Sequence, residues 1–260
     1  MHNLSASEDD DRPVLVDEPL PGARRLTLNR PRKLNALARD LVQQLVAELI
    51  AAENDPEVRV VILQANGRSF SAGADFDEHF QEGGYDIGHS DLWERLESLR
   101  VPVIAAVQGW AVTGGFLMAY CCDIVVAAED AIFRDTHGLL GLFPTGGESQ
   151  RMPRRLGAFV ARDLMLTSRP MKADEAHRIG FVSRVVPRDQ LEDAALEVAR
   201  QILGNSPRSV PAIKRLINLG TQADMGVGMR LELEISRFGL ANQEEDADRL
   251  ARLRSVRPRT

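Results

Sequence analysis

The sequence predicts an α/β fold, with strands between helices and a helical region at the C-terminal end. Three observations indicate this fold class. Short, nearly continuous apolar runs alternate with segments of helical spacing. The chain has 260 residues, 44% of them hydrophobic, which is enough for a full core without disulfide support. The last third of the chain carries a succession of helical patterns.

The first elements are a polar leader and two short strands. Residues 1–12 are polar and acidic, and we expect them to form a disordered leader. Residues 13–18 (PVLVDE) and 23–29 (ARRLTLN) are rich in strand-forming side chains. The residues between them, Pro19–Gly22, favour a turn. The sequence therefore predicts a strand pair at the start of the fold.

A long amphipathic helix follows this pair. From residue 34 to residue 54 leucines recur every four positions, which is typical of a helix with one buried face. Asn35 is suited to cap its N-terminus, and Asn54-Asp55-Pro56 to end it.

The central part of the chain predicts buried strands with short connections. A second, shorter apolar helix is predicted from Gly114 to Cys122. The three apolar runs that predict buried strands are Val58–Ala65, Val101–Val107 and Ile124–Ala128.

Four helical patterns make up the last third of the chain. They are Leu191–Leu203, Val210–Leu219, Met225–Leu240 and Glu244–Val256. We accordingly predict a core at 13–200 and a C-terminal helical region at 201–260. Helix packing alone leaves two roles open for this region, either subunit contacts or a cover over the core.

Charge and cysteine content exclude several classes of protein. A net charge of −6 argues against a nucleic-acid-binding protein. No apolar run approaches the roughly 18–20 residues that span a bilayer, so no membrane partner is expected. The two cysteines, Cys121 and Cys122, are adjacent and lack neighbouring metal ligands, so we expect free buried thiols, no metal site and a cytoplasmic location.

Two short segments suggest a specific chemistry. Phe70–Asp75 and Gly109–Gly115 are rich in small residues, and each follows a predicted strand. Small residues let the backbone approach a ligand closely, and free amides at a helix start favour negative charge. Two such amides on one carbonyl oxygen would form an oxyanion hole, although a tight turn is the more common explanation of either segment alone.

Six sequence blocks occur in a characteristic order. They are LNRP…LNAL, SFSAGADF, VPVIAAVQGWAVTGG, CCDIVVAAEDAIF, LLGLFPTGG…QRMPRRLG and ADEAHRIGFVSRVVP. Over residues 13–220 this series resembles the crotonase superfamily, the enoyl-CoA hydratase/isomerase family. The resemblance implies a spiral of ββα units with a C-terminal helical region, assembled as a homotrimer or a dimer of trimers. It also implies an acyl-CoA substrate, with coenzyme A present as part of that substrate and no separate cofactor.

The resemblance assigns residues by position. The thioester carbonyl would lie between the backbone N–H groups of Ala74 and Gly114. Backbone near residues 72 and 74 would meet the adenine, and Arg32 or Lys33 would pair with phosphates. Asp75 is also expected to bind backbone groups, and Phe76 to line a pocket or the core. The full substrate- and CoA-binding set is Arg32, Lys33, Ala36, Ala72, Asp75, Phe76 and Leu117.

The sequence departs from the family's hydratases at two positions. Where those enzymes carry two catalytic glutamates, this chain has Leu117 and His137. Leucine cannot transfer a proton, so the mechanism that uses two carboxylates should be severely weakened or absent. The oxyanion-hole segments are intact, so stabilisation of an enolate remains available.

His137 is the main acid/base candidate. An imidazole titrates near neutral pH, and the family's isomerases use a single acid/base at this position. The stretch Phe133–His137 also resembles the β-diketone hydrolase branch, whose partner aspartate falls on Gly146 here. Asp135 and Glu148 are the nearby carboxylates that would have to replace it. Two simpler explanations remain open. His137 would be a loop histidine without catalytic function, and Glu148 would be an acid placed in the first turn of a helix.

We therefore predict an enzyme of the enoyl-CoA hydratase/isomerase family that acts through an enolate. Isomerisation, C–C cleavage and atypical hydration are the candidate reactions, with Ala74, Gly114, His137 and Glu148 as candidate catalytic residues. Two alternatives remain: a catalytically silent acyl-CoA-binding protein, and a β-diketone hydrolase that does not use CoA. Five apolar residues predict an acyl tunnel or core packing: Phe116, Leu117, Leu139, Leu142 and Phe143.

Overall fold

The computed structural model describes residues 11–79, 81 and 91–241. Most of the predicted leader and the predicted helix at 244–256 lie outside these residues. The described residues form two compact units, one up to Lys214 and one from Arg215. The boundary at residues 200 and 201 stays a prediction.

A six-stranded sheet forms the centre of the first unit. Its strands, in spatial order, are β1 (Val14–Leu20), β2 (Ala23–Leu28), β3 (Val60–Ala65), β4 (Val103–Val107), β6 (Ile124–Ala128) and β9 (Arg184–Val186). β1 and β2 pair antiparallel, as predicted, and every later pair in this sheet is parallel. The three predicted buried strands are confirmed as β3, β4 and β6.

A second, smaller sheet has three strands. Its strands are β5 (Trp110–Val112), β7 (Ile132–Arg134) and β8 (Met171–Lys172), in that order. β5 and β7 run parallel, so the residues that follow them emerge at the same edge of this sheet.

Helices connect the strands and follow them. Those of the described residues are α1 (Arg39–Asn54), α2 (Phe76–His79), α3 (Leu92–Ser98), α4 (Gly114–Cys121), α5 (His137–Leu140), α6 (Glu148–Leu156), α7 (Ala158–Thr167), α8 (Ala173–Arg178), α9 (Leu191–Leu203), α10 (Ser209–Gly220) and α11 (Met225–Ala241). The predicted helices at 191–203, 210–219 and 225–240 are confirmed as α9, α10 and α11. None of the described helices is long and apolar enough to cross a membrane.

The six-stranded sheet separates two apolar layers. In β3, Val61 and Leu63 belong to the larger layer, which also contains buried residues of α1, α3 and α4. Val60 and Ile62 point to the opposite face and join the layer formed with α9. Because alternate strand residues face opposite sides, one continuous apolar run supplies both layers.

The predicted start of the first helix is wrong. α1 begins at Arg39, and Asn35 is not its cap. Leu34 and Asn35 adopt left-handed backbone conformations, each with φ of 52°. The fully buried Asn35 amide instead donates to the carbonyls of Asn66 and Ser69, both at 2.8 Å. Contacts distant in sequence therefore override the local helical pattern.

In the second unit, α11 exposes several large apolar side chains. Met225, Met229 and Leu233 are spaced along one side of this helix and are all exposed.

Candidate active site

The two small-residue segments predicted to form an oxyanion hole lie against each other. The main-chain oxygen of Ser71 accepts from Val112 N at 2.9 Å, and Ser71 N donates to Trp110 O at 3.0 Å. A Cβ atom at position 115 would lie 2.5 Å from that same Ser71 oxygen. Only glycine fits at this position, and its absent side chain lets the start of α4 approach the loop after β3.

The N–H groups of Ala74 and Gly114 are available to a ligand. The residues on either side of Ala74 make the main-chain hydrogen bonds to Leu37. Leu37 N donates to Gly73 O at 2.8 Å, and Asp75 N donates to Leu37 O at 3.4 Å. Gly114 is the first residue of α4, so its N–H has no intrahelical acceptor. Within residues 11–79, 81 and 91–241, neither N–H donates a hydrogen bond. Both residues line one cavity.

Thr113 fixes the start of α4 in an unusual backbone conformation. Its φ of 46° and ψ of −102° are rare for a β-branched residue, and such strain persists where surrounding contacts enforce it. The Thr113 hydroxyl lies 2.6 Å from the hydroxyl of Thr136 and accepts from Thr136 N at 3.1 Å. These bonds join the start of α4 to the segment that carries His137.

His137 forms a buried pair with Asp135. The ring atom Nδ1 lies 3.0 Å from Asp135 Oδ2, and the His137 main-chain N–H donates to Asp135 Oδ1 at 3.1 Å. Burial lowers the pKa of His137, but the hydrogen bond and charge of Asp135 and the charge of Glu148 raise it above its ordinary value. With Nδ1 engaged by the carboxylate, Nε2 is the ring nitrogen left for proton transfer.

Glu148 is a buried carboxyl group on the same cavity. It begins α6 and is only 4% exposed. Its Oε2 atom has no hydrogen-bond partner among the described residues. Burial raises the pKa of Glu148, hydrogen bonds from backbone N–H groups and the His137 charge lower it, and the net shift is upward. The sequence left two roles open for Glu148, an acid in the first turn of a helix and an acid at the site. The structure places Glu148 both in the first turn of α6 and in the cavity lining.

The cavity has a volume of about 220 Å³. Its apolar lining comprises Ala72, Ala74, Phe76, Trp93, Val112, Leu140, Leu142 and Phe143. Its other lining residues are Thr113, Gly114, Thr136, His137, Thr145 and Glu148. A mostly apolar cleft with a few convergent polar groups is the usual form of a small-molecule site.

Trp93 is a cavity residue that the sequence reasoning missed. It belongs to α3, distant in sequence from both small-residue segments, and no motif marks it. Its Nε1 atom is buried and has no hydrogen-bond partner among the described residues. Buried donors normally have a partner, and a group that enters the cavity would supply one to Trp93 Nε1.

The predicted CoA-binding residues occupy several environments. Arg32 is exposed, and Lys33 Nζ lies 2.7 Å from Asp77 on the surface. Asp75 is buried and accepts from Arg30 at 3.0 Å, which ties the loop that holds Ala74 to the segment between β2 and α1. Ala36 is buried, and its carbonyl accepts from Arg30 at 2.8 Å.

The apolar residues predicted to form an acyl tunnel separate into three groups. Leu142 and Phe143 line the cavity. Phe116 and Leu117 are buried in the core, Phe116 within an aromatic cluster that includes Tyr120 and Phe133. Leu139 is exposed.

The cysteines behave as predicted. Cys121 and Cys122 are both free and buried, and burial raises the pKa of each thiol. Across the part of the chain that the structure describes, no group of three or more histidine, cysteine, aspartate or glutamate side chains is arranged to hold a metal.

Comparison with known proteins identifies the family. The family model described as "Enoyl-CoA hydratase/isomerase" matches residues 22–248. The chain belongs to this family. It is 40% identical over 223 residues to a protein of Arabidopsis thaliana named probable enoyl-CoA hydratase 1, peroxisomal, covering 85% of this chain and 84% of that protein.

Solved structures of the enoyl-CoA hydratase/isomerase family agree with the fold. An enoyl-CoA hydratase from Bacillus anthracis superposes with a TM-score of 0.87 at 33% identity, covering 94% of this chain and 97% of that one. A monofunctional enoyl CoA isomerase from M. smegmatis superposes with a TM-score of 0.73 at 38% identity, covering 84% and 97%. The predicted crotonase-like α/β fold and the assignment as an enzyme of this family are confirmed. Because one relative is named peroxisomal, a cytoplasmic location stays a prediction.

Proposed function

We propose that this enzyme moves a proton on an acyl-CoA thioester through an enolate, and that its reaction is isomerisation of an enoyl-CoA double bond. One observation carries the proposal. Ala74 and Gly114, whose N–H groups have no acceptor among the described residues, line the same cavity as His137, whose imidazole is bound to Asp135.

The two N–H groups would bind the thioester oxygen. Removing the α-proton of a thioester places negative charge on that oxygen, and two fixed donors stabilise this charge without reorganising. Loss of one such donor typically costs about 3–4 kcal/mol of transition-state stabilisation. Both donors belong to the main chain, at Ala74 and at Gly114.

His137 would act as the base. Asp135 engages Nδ1, so Nε2 accepts the α-proton of a 3-enoyl-CoA. The electrons of the broken C–H bond enter the dienolate, whose oxygen the two N–H groups hold. Protonation at the γ-carbon then returns the electrons to a conjugated 2-enoyl thioester. Substrate and product are isomers, so neither water nor an electron acceptor is consumed.

Leu117 favours this reaction over hydration by two carboxylates. The leucine is fully buried in the core and offers no proton. Isomerisation requires groups that exchange a proton with the α- and γ-carbons, and does not require a water held between two glutamates. A relative at 38% identity is named a monofunctional enoyl CoA isomerase, which supports the same choice.

The proposed substrate brings coenzyme A with it, and no other cofactor is invoked. Arg32 and Lys33 are exposed basic residues a few positions before Ala36. Their positive charges are suited to bind phosphate groups. Ala72 lines the cavity, where its backbone would contact the nucleotide end of the substrate. The homotrimer or dimer of trimers implied by the family resemblance is part of the same proposal, and the mass in solution tests it.

Cleavage of a C–C bond is a second candidate function. The β-diketone hydrolase branch pairs its histidine with an aspartate from the loop where this chain has Gly146. Here Asp135 supplies a carboxylate partner for His137 from another position, at 3.0 Å. An imidazole paired in this way is suited to activate water.

Exchange of the α-proton tests the proposed function. A saturated acyl-CoA incubated with the protein in D₂O should lose its α-proton signal in the NMR spectrum, and His137→Ala should abolish this loss. His177→Ala, which removes a histidine of α8 outside the cavity lining, serves as the matched control. Exchange no faster than in buffer, or undiminished exchange in His137→Ala, would refute the proposal. Binding of acyl-CoA without exchange would indicate a silent binding protein, and turnover of β-diketones without CoA binding would indicate the hydrolase.

A further inference from the structure

The buried carboxyl group of Glu148 and the core side chain of Leu117 both approach Gly146. A Cβ atom built on Gly146 would lie 2.5 Å from Leu117 Cδ2 and 3.1 Å from Glu148 Oε1. Leu117 belongs to α4 and Glu148 begins α6, so two different elements converge on one small volume. Leu117 is buried in the core, whereas Glu148 also lines the cavity.

One oxygen of the Glu148 carboxyl group lacks the partner that a buried structural acid normally has. Its Oε2 atom is buried without a hydrogen-bond partner among the described residues. Arg151 of the same helix donates elsewhere, to Glu97 at 3.0 Å and to the Gly146 carbonyl at 2.5 Å. A buried carboxyl without a cation is costly unless it is protonated or bound to a ligand.

The charges around Glu148 favour a shared proton with His137. His137 and Asp135 both act electrostatically on Glu148, and Tyr120 is a further ionisable neighbour. Burial and the Asp135 charge raise the pKa of Glu148, which keeps its protonated form accessible. In the state that proton transfer requires, the imidazole of His137 is neutral and the carboxyl group of Glu148 is protonated, so the two groups hold one proton between them.

We propose that Glu148 is the second proton-carrying group of the site and that it delivers the proton to the γ-carbon while His137 removes the α-proton. This inference rests on the proposed function. In the step, His137 Nε2 gains the α-proton and the Glu148 carboxyl loses its proton to the γ-carbon. The new double bond forms between the α- and β-carbons as the former one is lost. Return of the proton from the imidazolium to the carboxylate, directly or through solvent, restores both groups.

Two measurements on one variant separate this role from that of His137. Glu148→Gln keeps the size of the side chain and removes the acid. Conversion of a 3-enoyl-CoA to its conjugated isomer, followed by absorbance, should fall by about 10²–10⁴-fold, which is the usual contribution of a general acid or base. Exchange of the α-proton of a saturated acyl-CoA needs the oxyanion hole and His137 alone, and should be retained.

Two further variants complete the experiment. Glu129→Gln changes an exposed glutamate outside the cavity lining and should leave both rates unchanged. Glu148→Asp keeps the acid on a shorter side chain and should recover part of the isomerisation lost in Glu148→Gln.

The outcomes distinguish the two proposals. Full isomerisation in Glu148→Gln would overturn the role given to Glu148, and so would equal losses of isomerisation and exchange in that variant. Undiminished exchange in His137→Ala would instead overturn the proposed function, and the role of Glu148 would fall with it.

Discussion

Asp135 accepts two hydrogen bonds from His137, one from its main-chain N–H at 3.1 Å and one from Nδ1 at 3.0 Å. The two bonds fix both the backbone and the ring of the histidine relative to a single carboxylate. That carboxylate is 1% exposed, so its charge acts on the imidazole with little screening by water. The arrangement holds the imidazole in one orientation at the start of α5 and keeps Nε2 for the substrate.

The first prediction concerns the pH dependence of kcat/KM. If His137 and Glu148 share one proton, activity should be bell-shaped, falling at low pH when both are protonated and at high pH when neither is. The charge of Asp135 raises the pKa of each group. Asp135→Asn removes this charge and keeps Oδ1, which lies 3.1 Å from the His137 main-chain N and 3.2 Å from Nδ1, so both limbs should move to lower pH. A loss of activity with both limbs in place would show that Asp135 acts on the fold alone.

The second prediction concerns the contact between the two oxyanion segments. Gly115→Ala would place a Cβ atom 2.5 Å from the Ser71 main-chain oxygen, which cannot move as freely as a side chain. The segments should separate, and kcat should fall by about 10²–10³-fold, the effect of losing one oxyanion donor. Steady-state kinetics with an enoyl-CoA measures this loss. Gly220→Ala, where no atom lies within 4 Å of the new methyl group, is the control, and an equal effect of both changes would contradict the prediction.

The third prediction concerns stability at Gly146. A methyl group there would meet Leu117 Cδ2 at 2.5 Å, so Gly146→Ala should destabilise the protein by about 1–3 kcal/mol through overpacking. Leu117→Ala alone should cost about 2–5 kcal/mol because it opens a cavity in the core. In the double variant the new methyl group enters that cavity, so the combined loss should be smaller than the sum. Urea unfolding of all four proteins gives the coupling, and strict additivity would refute it.

The fourth prediction concerns recognition of coenzyme A. If Arg32 and Lys33 contact phosphates, Arg32→Ala and Lys33→Ala should each raise KM for an acyl-CoA by about tenfold, the value of one charge-assisted hydrogen bond. KM for the matching acyl-pantetheine, which lacks the nucleotide phosphates, should not change. Lys172→Ala alters an exposed lysine of β8 and controls for the loss of net charge. Equal effects on both thioesters would exclude phosphate contact.

The strands could be predicted from the sequence better than the helix starts. β3, β4 and β6 are buried on both faces, so their apolar runs are nearly continuous and unambiguous. The start of α1 depends on hydrogen bonds from Asn35 to residues 66 and 69, which local periodicity does not contain. A helix that starts at Glu148 was one alternative in the sequence, but the extent of α6 was not predicted because this helix is mostly polar and carries Pro153.

The site could be predicted in part. Gly114 and Ala74 were located through their resemblance to a family, because glycine pairs and small-residue turns are common in proteins generally. His137 was located in the same way, and Asp135 was already a candidate partner two residues away. Trp93 was missed because its place in the cavity results from the packing of α3, which no local pattern of the sequence reports.

The donors that would hold the substrate oxygen are main-chain N–H groups, which every residue except proline has, whereas the groups proposed to move protons are side chains. A mutation can therefore replace an acid by a leucine, or introduce an acid on another helix, while the main-chain groups that stabilise the enolate stay in place. In such a fold, a new reaction requires only the exchange of a few side chains around unchanged main-chain donors. The reaction of one family member therefore does not predict the reaction of another.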